Sequence, residues 1–140
     1  MTKDFVKFHV QLNQLVMQKR KPTDAEFNIL GVIWSKKKAT VREVHEELSK
    51  HQETGYTTVL KLMQIMTDKG LLKRNTSVRP QVYQAGIPQQ QTQKALLGDL
   101  LDRAFGGSPG NLVLQALEMK ESPPEELNEI RQMLDKLEGQ

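Results

Sequence analysis

Three observations predict a mainly α-helical chain. Thr23-Asp24-Ala25-Glu26 and Thr40-Val41-Arg42-Glu43 both have the form of a capping box, in which threonine accepts from a first-turn amide and glutamate reaches back. Gly70 ends an amphipathic run as a C-terminal glycine does. Beyond residue 88, apolar residues recur at helical spacing, interrupted only by Gly/Pro-marked breaks. Three helices and a β-hairpin, then a helical C-terminal segment, is the order of a winged helix-turn-helix followed by a dimerisation domain.

The elements follow in order. Residues 1–21 form an N-terminal extension whose Phe5, Phe8, Leu12, Leu15 and Val16 fit a helical stripe, although Val6, Phe8, Val10 and Leu12 also alternate as in a strand. The first capping box opens a helix to about Ser35 with Phe27, Ile29, Leu30, Ile33 and Trp34 apolar, and Lys36-Lys37-Lys38 closes it against the helix dipole. The second opens a short helix with Val41, Val44 and Leu48 facing inward. The polar turn 51–55 leads into a third helix, which buries Val59, Leu62, Met63 and Met66 and shows Thr57, Lys61, Gln64 and Asp68.

Leu71-Leu72-Lys73-Arg74 and Gln81-Val82-Tyr83-Gln84 read as two strands around a tip at 75–80. A helix over 88–105 carries Leu96, Leu97, Leu100, Leu101, Ala104 and Phe105, and Gly106-Gly107-Ser108-Pro109-Gly110 breaks it, with Pro109 suited to a first helical position. The next helix, to Met119, shows Leu112, Val113, Ala116 and Leu117. Ser122-Pro123-Pro124-Glu125 has the form of a third capping box, ahead of Leu127, Ile130, Leu134 and Leu137. This divides the chain into the extension (1–21), a winged-helix domain (22–86) and a helical domain (87–140).

Charge is divided along the chain. Residues 1–85 hold 15 Lys/Arg against 8 Asp/Glu, and residues 86–140 hold 5 against 9. The front half therefore suits a polyanion and the back half does not. Cysteine is absent, which excludes disulfides, thiolate metal sites and thiol nucleophiles. No apolar run reaches the roughly 20 residues of a membrane span, and no secretory signal pattern opens the chain, so membrane insertion is not expected and a cytoplasmic location is.

Catalytic and metal chemistry find no support. His45 and His51 bracket a stretch like H-E-x-x-H, but six residues apart they point to nearly opposite helix sides and cannot share one zinc. Gly106-Gly107-Ser108-Pro109-Gly110 lacks the preceding strand and following lysine of a phosphate loop. The chain is thus expected not to be an enzyme and to need no cofactor or metal. DNA contact fits better. Tyr56, Thr57, Thr58, Lys61 and Gln64 would present the third helix to the major groove, with Arg74 and Arg79 on the wing. Three short helices in the back half bury too little to stand alone, which points to a second copy packing on Leu112, Leu127, Ile130, Leu134 and Leu137. The rival reading is a winged helix that binds protein without binding DNA; Asp68 and the single lysine within the third helix keep it open.

Thr23-Asp24-Ala25-Glu26 with Ile33-Trp34, Tyr56-Thr57-Thr58-Val59, Lys69-Gly70-Leu71-Leu72, and Arg79 with Tyr83 resemble the penicillinase-repressor (BlaI/MecI) family. Phe105-Gly106-Gly107, Leu112-Val113-Leu114 and Glu125-Glu126-Leu127 through Leu134 extend the resemblance over about 22–138. It implies a repressor that dimerises through its C-terminal helices and binds palindromic, double-stranded operator DNA. It also implies regulation of β-lactam-response or other stress genes, and induction through a protease linked to a membrane sensor. The Asn-Phe bond cut in the best-known members corresponds to Asp99-Leu100, a different dipeptide. The recognition-helix lysine and arginine of staphylococcal-type members correspond to Thr57 and Leu60, and the cysteine cluster of copper-responsive relatives is missing.

Overall fold

A computed structural model describes residues 21–139, so the expectation for the N-terminal extension lies outside the described residues. Helices α1 (Asp24–Lys36), α2 (Val41–Leu48) and α3 (Tyr56–Asp68) alternate with a strand β1 (Lys38–Ala39) and lead to strands β2 (Leu72–Asn75) and β3 (Val82–Ala85). Helices α4 (Gln89–Ala104), α5 (Pro109–Met119) and α6 (Pro124–Glu138) complete the chain. Helix, strand, two helices and a two-stranded hairpin is the winged-helix order. The chain divides into two compact units, one through Leu96 and one from Leu97.

Both expected N-terminal capping boxes form. Thr23 Oγ1 accepts from Glu26 N at 3.2 Å while Glu26 Oε1 accepts from Thr23 N at 2.9 Å. Thr40 and Glu43 repeat the exchange at 3.1 and 2.8 Å. Each pair satisfies two amides that a helix start otherwise leaves open. At the end of α3, Gly70 takes φ 82°, its N–H donates to Thr67 O, and Leu71 N donates to Met66 O. This pair of bonds is a Schellman stop, and the left-handed residue in it is the one position that asks for glycine.

The core of the first unit joins Ile29, Leu30 and Ile33 of α1, Val41, Val44 and Leu48 of α2, and Val59, Met63 and Met66 of α3. Leu71, Leu72, Tyr83, Ile87 and Ala39 close it from the sheet side, and Phe27, Trp34, Leu60 and Leu62 pack around it half-buried. Glu26 is also buried, where its Oε1 takes the Lys69 ammonium at 2.7 Å. The first capping box thus extends into an ion pair that ties the start of α1 to the end of α3. Gly86 passes so near the backbone that an added Cβ would lie 2.3 Å from Gly70 O.

Three expectations are corrected. Lys38 does more than close α1: with Ala39 it forms β1, paired antiparallel to β3, so the sheet has three strands in the order β1-β3-β2. Lys37 makes the sharp change of direction at φ 75°. Both hairpin strands begin one residue later than the sequence pattern indicates. The third capping box does not form; Pro123 occupies the cap position of α6 and has no side-chain acceptor to offer.

In the second unit, Ser108 caps α5 by accepting from Asn111 N at 3.2 Å, with Pro109 at the first position as expected. No residue of α5 or α6 is buried.

Candidate nucleic-acid interface

The α3 N-terminus differs from those of α1 and α2. Its cap residue is Gly55, which has no side chain to accept a hydrogen bond, and its first turn contains no acidic residue. The amides of Tyr56, Thr57 and Thr58 therefore lack the partners that the capping boxes supply elsewhere in the chain. Open amides and the positive end of the helix dipole together attract an anion.

Tyr56 stands at this end, 47% exposed, with its ring edge-on to His45 at 5.8 Å between centroids. Its ring is thus held on one side by the histidine while the residue stays exposed. Thr57, Lys61 and Gln64 lie exposed at helical spacing on one stripe, and Thr58 is exposed beside them. The opposite face holds the buried Val59, Met63 and Met66, which fix the helix and direct the polar stripe outward. Ile65 is also exposed on this side, and Asp68 ends the stripe with the one negative charge.

Strand β2 follows α3 and packs against it, so Arg74 stands on the same unit and Arg79 lies in the tip, both exposed. Register distinguishes the strand cations. Arg74 pairs across to Tyr83, which pairs on to the buried Ala39, so Arg74 leaves the sheet on the core-facing side, beyond the end of the core. Lys73 lies across from Gln84, itself paired with Lys38, so these two lysines share the outer face. Sequence reading passes over this second pair because only the register of three strands reveals it. At the tip, Asn75 Oδ1 accepts from Ser77 N at 3.0 Å and from Ser77 Oγ at 2.6 Å, which folds the turn upon itself. Among the described residues, Lys61, Lys73, Arg74 and Arg79 have no carboxylate within salt-bridge reach, in contrast to Arg42 with Glu46 and Lys50 with Glu47.

The His45 Nε2 lies 2.9 Å from Thr54 O and 3.3 Å from Ser49 Oγ. No metal-capable group of His, Asp and Glu occurs among the described residues. Nor is any helix among them long and apolar enough to cross a membrane.

Of the residues expected to pair two copies, Leu112, Leu127 and Ile130 are half-buried within one chain, whereas Leu134 and Leu137 are 50% and 67% exposed. Asp99 and Leu100 lie inside α4, where Asp99 Oδ1 receives Arg103 Nε at 2.9 Å.

The chain is similar to known proteins. The penicillinase repressor family model matches residues 22–136. A penicillinase repressor of Staphylococcus aureus is 26% identical over 111 residues, covering 79% of this chain and 88% of the relative. That of Bacillus licheniformis is 29% identical over 113 residues, covering 81% and 88%. Among solved structures, the crystal structure of AbfR of Staphylococcus epidermidis is similar with a TM-score of 0.49 at 14% identity, covering 99% of this chain and 84% of that one. With a family match that runs from the α1 capping box into α6, the chain belongs to the penicillinase repressor family.

Proposed function

We propose that this protein is a transcriptional repressor that binds operator DNA as a homodimer. One observation carries the reading: α3 alone among the first three helices leaves its N-terminal amides uncapped, and it presents Tyr56, Thr57, Thr58, Lys61 and Gln64 outward from that end. In the proposed complex these amides meet a backbone phosphate, and Thr57, Thr58, Lys61 and Gln64 face the major groove. Arg74 and Arg79 meet the flanking backbone. Occupancy of a promoter-overlapping site blocks transcription. The family is one of repressors and not of enzymes, and the protein acts in the cytoplasm, where that DNA is.

The helical domain, taken as 87–140, supplies the second half of the proposal. Leu114, Met119, Met133, Leu134 and Leu137 are more than half or about half exposed in a single chain, a poor arrangement for an isolated unit and a suitable one for a two-fold interface. Induction by a protease linked to a membrane sensor belongs to the same proposal, with Asp99-Leu100 as the bond cut. That bond lies within α4, and a protease takes its substrate extended, so α4 must unwind locally before cleavage.

The test is a gel shift with genomic fragments across a salt series. The proposal expects specific fragments to be retained and affinity to fall steeply with salt, because bound lysines and arginines displace counterions. Absent binding, or binding indifferent to salt, would sink it.

A further inference from the structure

We propose that His45 is the positioning residue that aims the open end of α3 at its anion, an inference that rests on the DNA-binding reading above. Thr54 O can only accept, so the His45 Nε2 2.9 Å away carries a proton and donates it. Ser49 Oγ, at 3.3 Å, takes at most a weaker share of the same proton. The neutral ring is thereby fixed as the Nε2–H tautomer.

The bond spans nine residues and closes the turn between α2 and α3. The backbone bonds of that turn cluster at its start: Ser49, Lys50, His51 and Gln52 donate back to His45, Glu47 and Leu48. Among the described residues, no backbone bond holds Glu53 or Thr54, so the final approach to Gly55 depends on His45. The same ring lies edge-on to Tyr56, with an interplanar angle of 80°. One imidazole therefore fixes both the carbonyl before the glycine cap and the first aromatic after it. It replaces the structural service of a side-chain cap while leaving the amides of Tyr56, Thr57 and Thr58 open.

The remainder of α3 is fixed independently by the buried Val59, Met63 and Met66. Loss of His45 should therefore misdirect the helix entry more than it unfolds the domain. A one-ångström error in aiming a charged contact suffices to weaken it severely.

The experiment is a double-mutant cycle on the full chain with a DNA fragment retained in the gel shift, read alongside thermal unfolding and hydrogen exchange. His45→Ala and Tyr56→Ala should each weaken binding about tenfold, and the double variant about thirtyfold, short of the roughly hundredfold of independent sites, because the His45 bond to Thr54 O persists without Tyr56. His45→Gln, which keeps a donor of similar reach, should return affinity to within about threefold of wild type. His45→Phe, which keeps the ring and loses the donor, should not. In the free protein, His45→Ala should speed exchange at Val59, whose N–H donates to Gly55 O, and leave Met63 and Met66 protected.

Multiplicative losses in the cycle, or wild-type affinity in His45→Phe, would overturn the inference. If His45→Ala does not fold, the Gln and Phe variants decide it alone. If wild type binds no DNA, the DNA-binding reading fails together with the aiming role, and faster exchange at Val59 then leaves His45 only a structural part in the turn.

Discussion

Replacing Lys69 with methionine should cost more than replacing Glu26 with alanine, although the two form one ion pair. The Glu26 side chain is 2% exposed and that of Lys69 is 27% exposed, with 2.7 Å between Oε1 and Nζ. In Glu26→Ala the lysine retains a route to water, and Thr23 N, at the exposed start of α1, can also be hydrated. The loss is then the glutamate's half of the capping box, about 1 kcal/mol, plus a charged hydrogen bond of about 1.5–3 kcal/mol. Partial hydration of Lys69 returns some of this, which leaves about 2–3 kcal/mol. In Lys69→Met the carboxylate stays buried with Thr23 N as its donor, and breaking a buried pair in this way costs about 3–5 kcal/mol. Urea unfolding followed by circular dichroism measures both. Adding Glu26→Gln to Lys69→Met should recover part of the loss, because an amide leaves no stranded charge and still accepts from Thr23 N. Equal costs for the two single variants, or a neutral Lys69→Met, would refute the reasoning.

Three further predictions concern packing, pH and DNA. Gly86→Ala places a carbon 2.3 Å from Gly70 O, backbone that cannot rotate away, and should destabilise by about 3 kcal/mol in the same unfolding assay. Glu43 is held below the ordinary carboxylate range by the Thr40 N–H and then by the Thr40 hydroxyl. A lowered folded value means its stabilisation is present at neutral pH and lost as pH falls through that value. Melting curves of wild type and Glu43→Gln should therefore differ at neutral pH and converge as the pH falls through that lowered value. Arg79→Ala should weaken all DNA sequences alike and lower the salt slope by roughly one, while Lys61→Ala should cost about 1–3 kcal/mol on the cognate site and relax preference at one position. Binding titrations over a salt series distinguish the two patterns.

What sequence alone made legible was local. Thr23 with Glu26 and Thr40 with Glu43 lie three residues apart, and Gly70 adjoins the helix it stops, so each signal lies within one turn. The apolar faces of α1, α2 and α3 were legible for the same reason, since periodicity needs no distant partner. Non-local features were not. Two residues make a strand at Lys38–Ala39 only because β3, more than forty residues later, offers its edge. Glu26 reads as a cap, and its second bond to Lys69 lies 43 residues away. His45 gives no periodic signal for its bond to Thr54. Ser122 misled because the cap motif fits the letters, while the chain begins α6 one residue further on, behind Pro123. The polar stripe of α3 was legible as exposed; the missing cap at Gly55, which gives the stripe its chemistry, emerged only by contrast with α1 and α2.

The central claim is that two copies of the chain read DNA through α3, and a hydroxyl-radical footprint on a retained fragment tests it most directly. The account predicts two protected half-sites related by a two-fold axis, separated by about one helical turn or a multiple of it, with two chains bound per site. Protection of one asymmetric half-site by a single chain would contradict it.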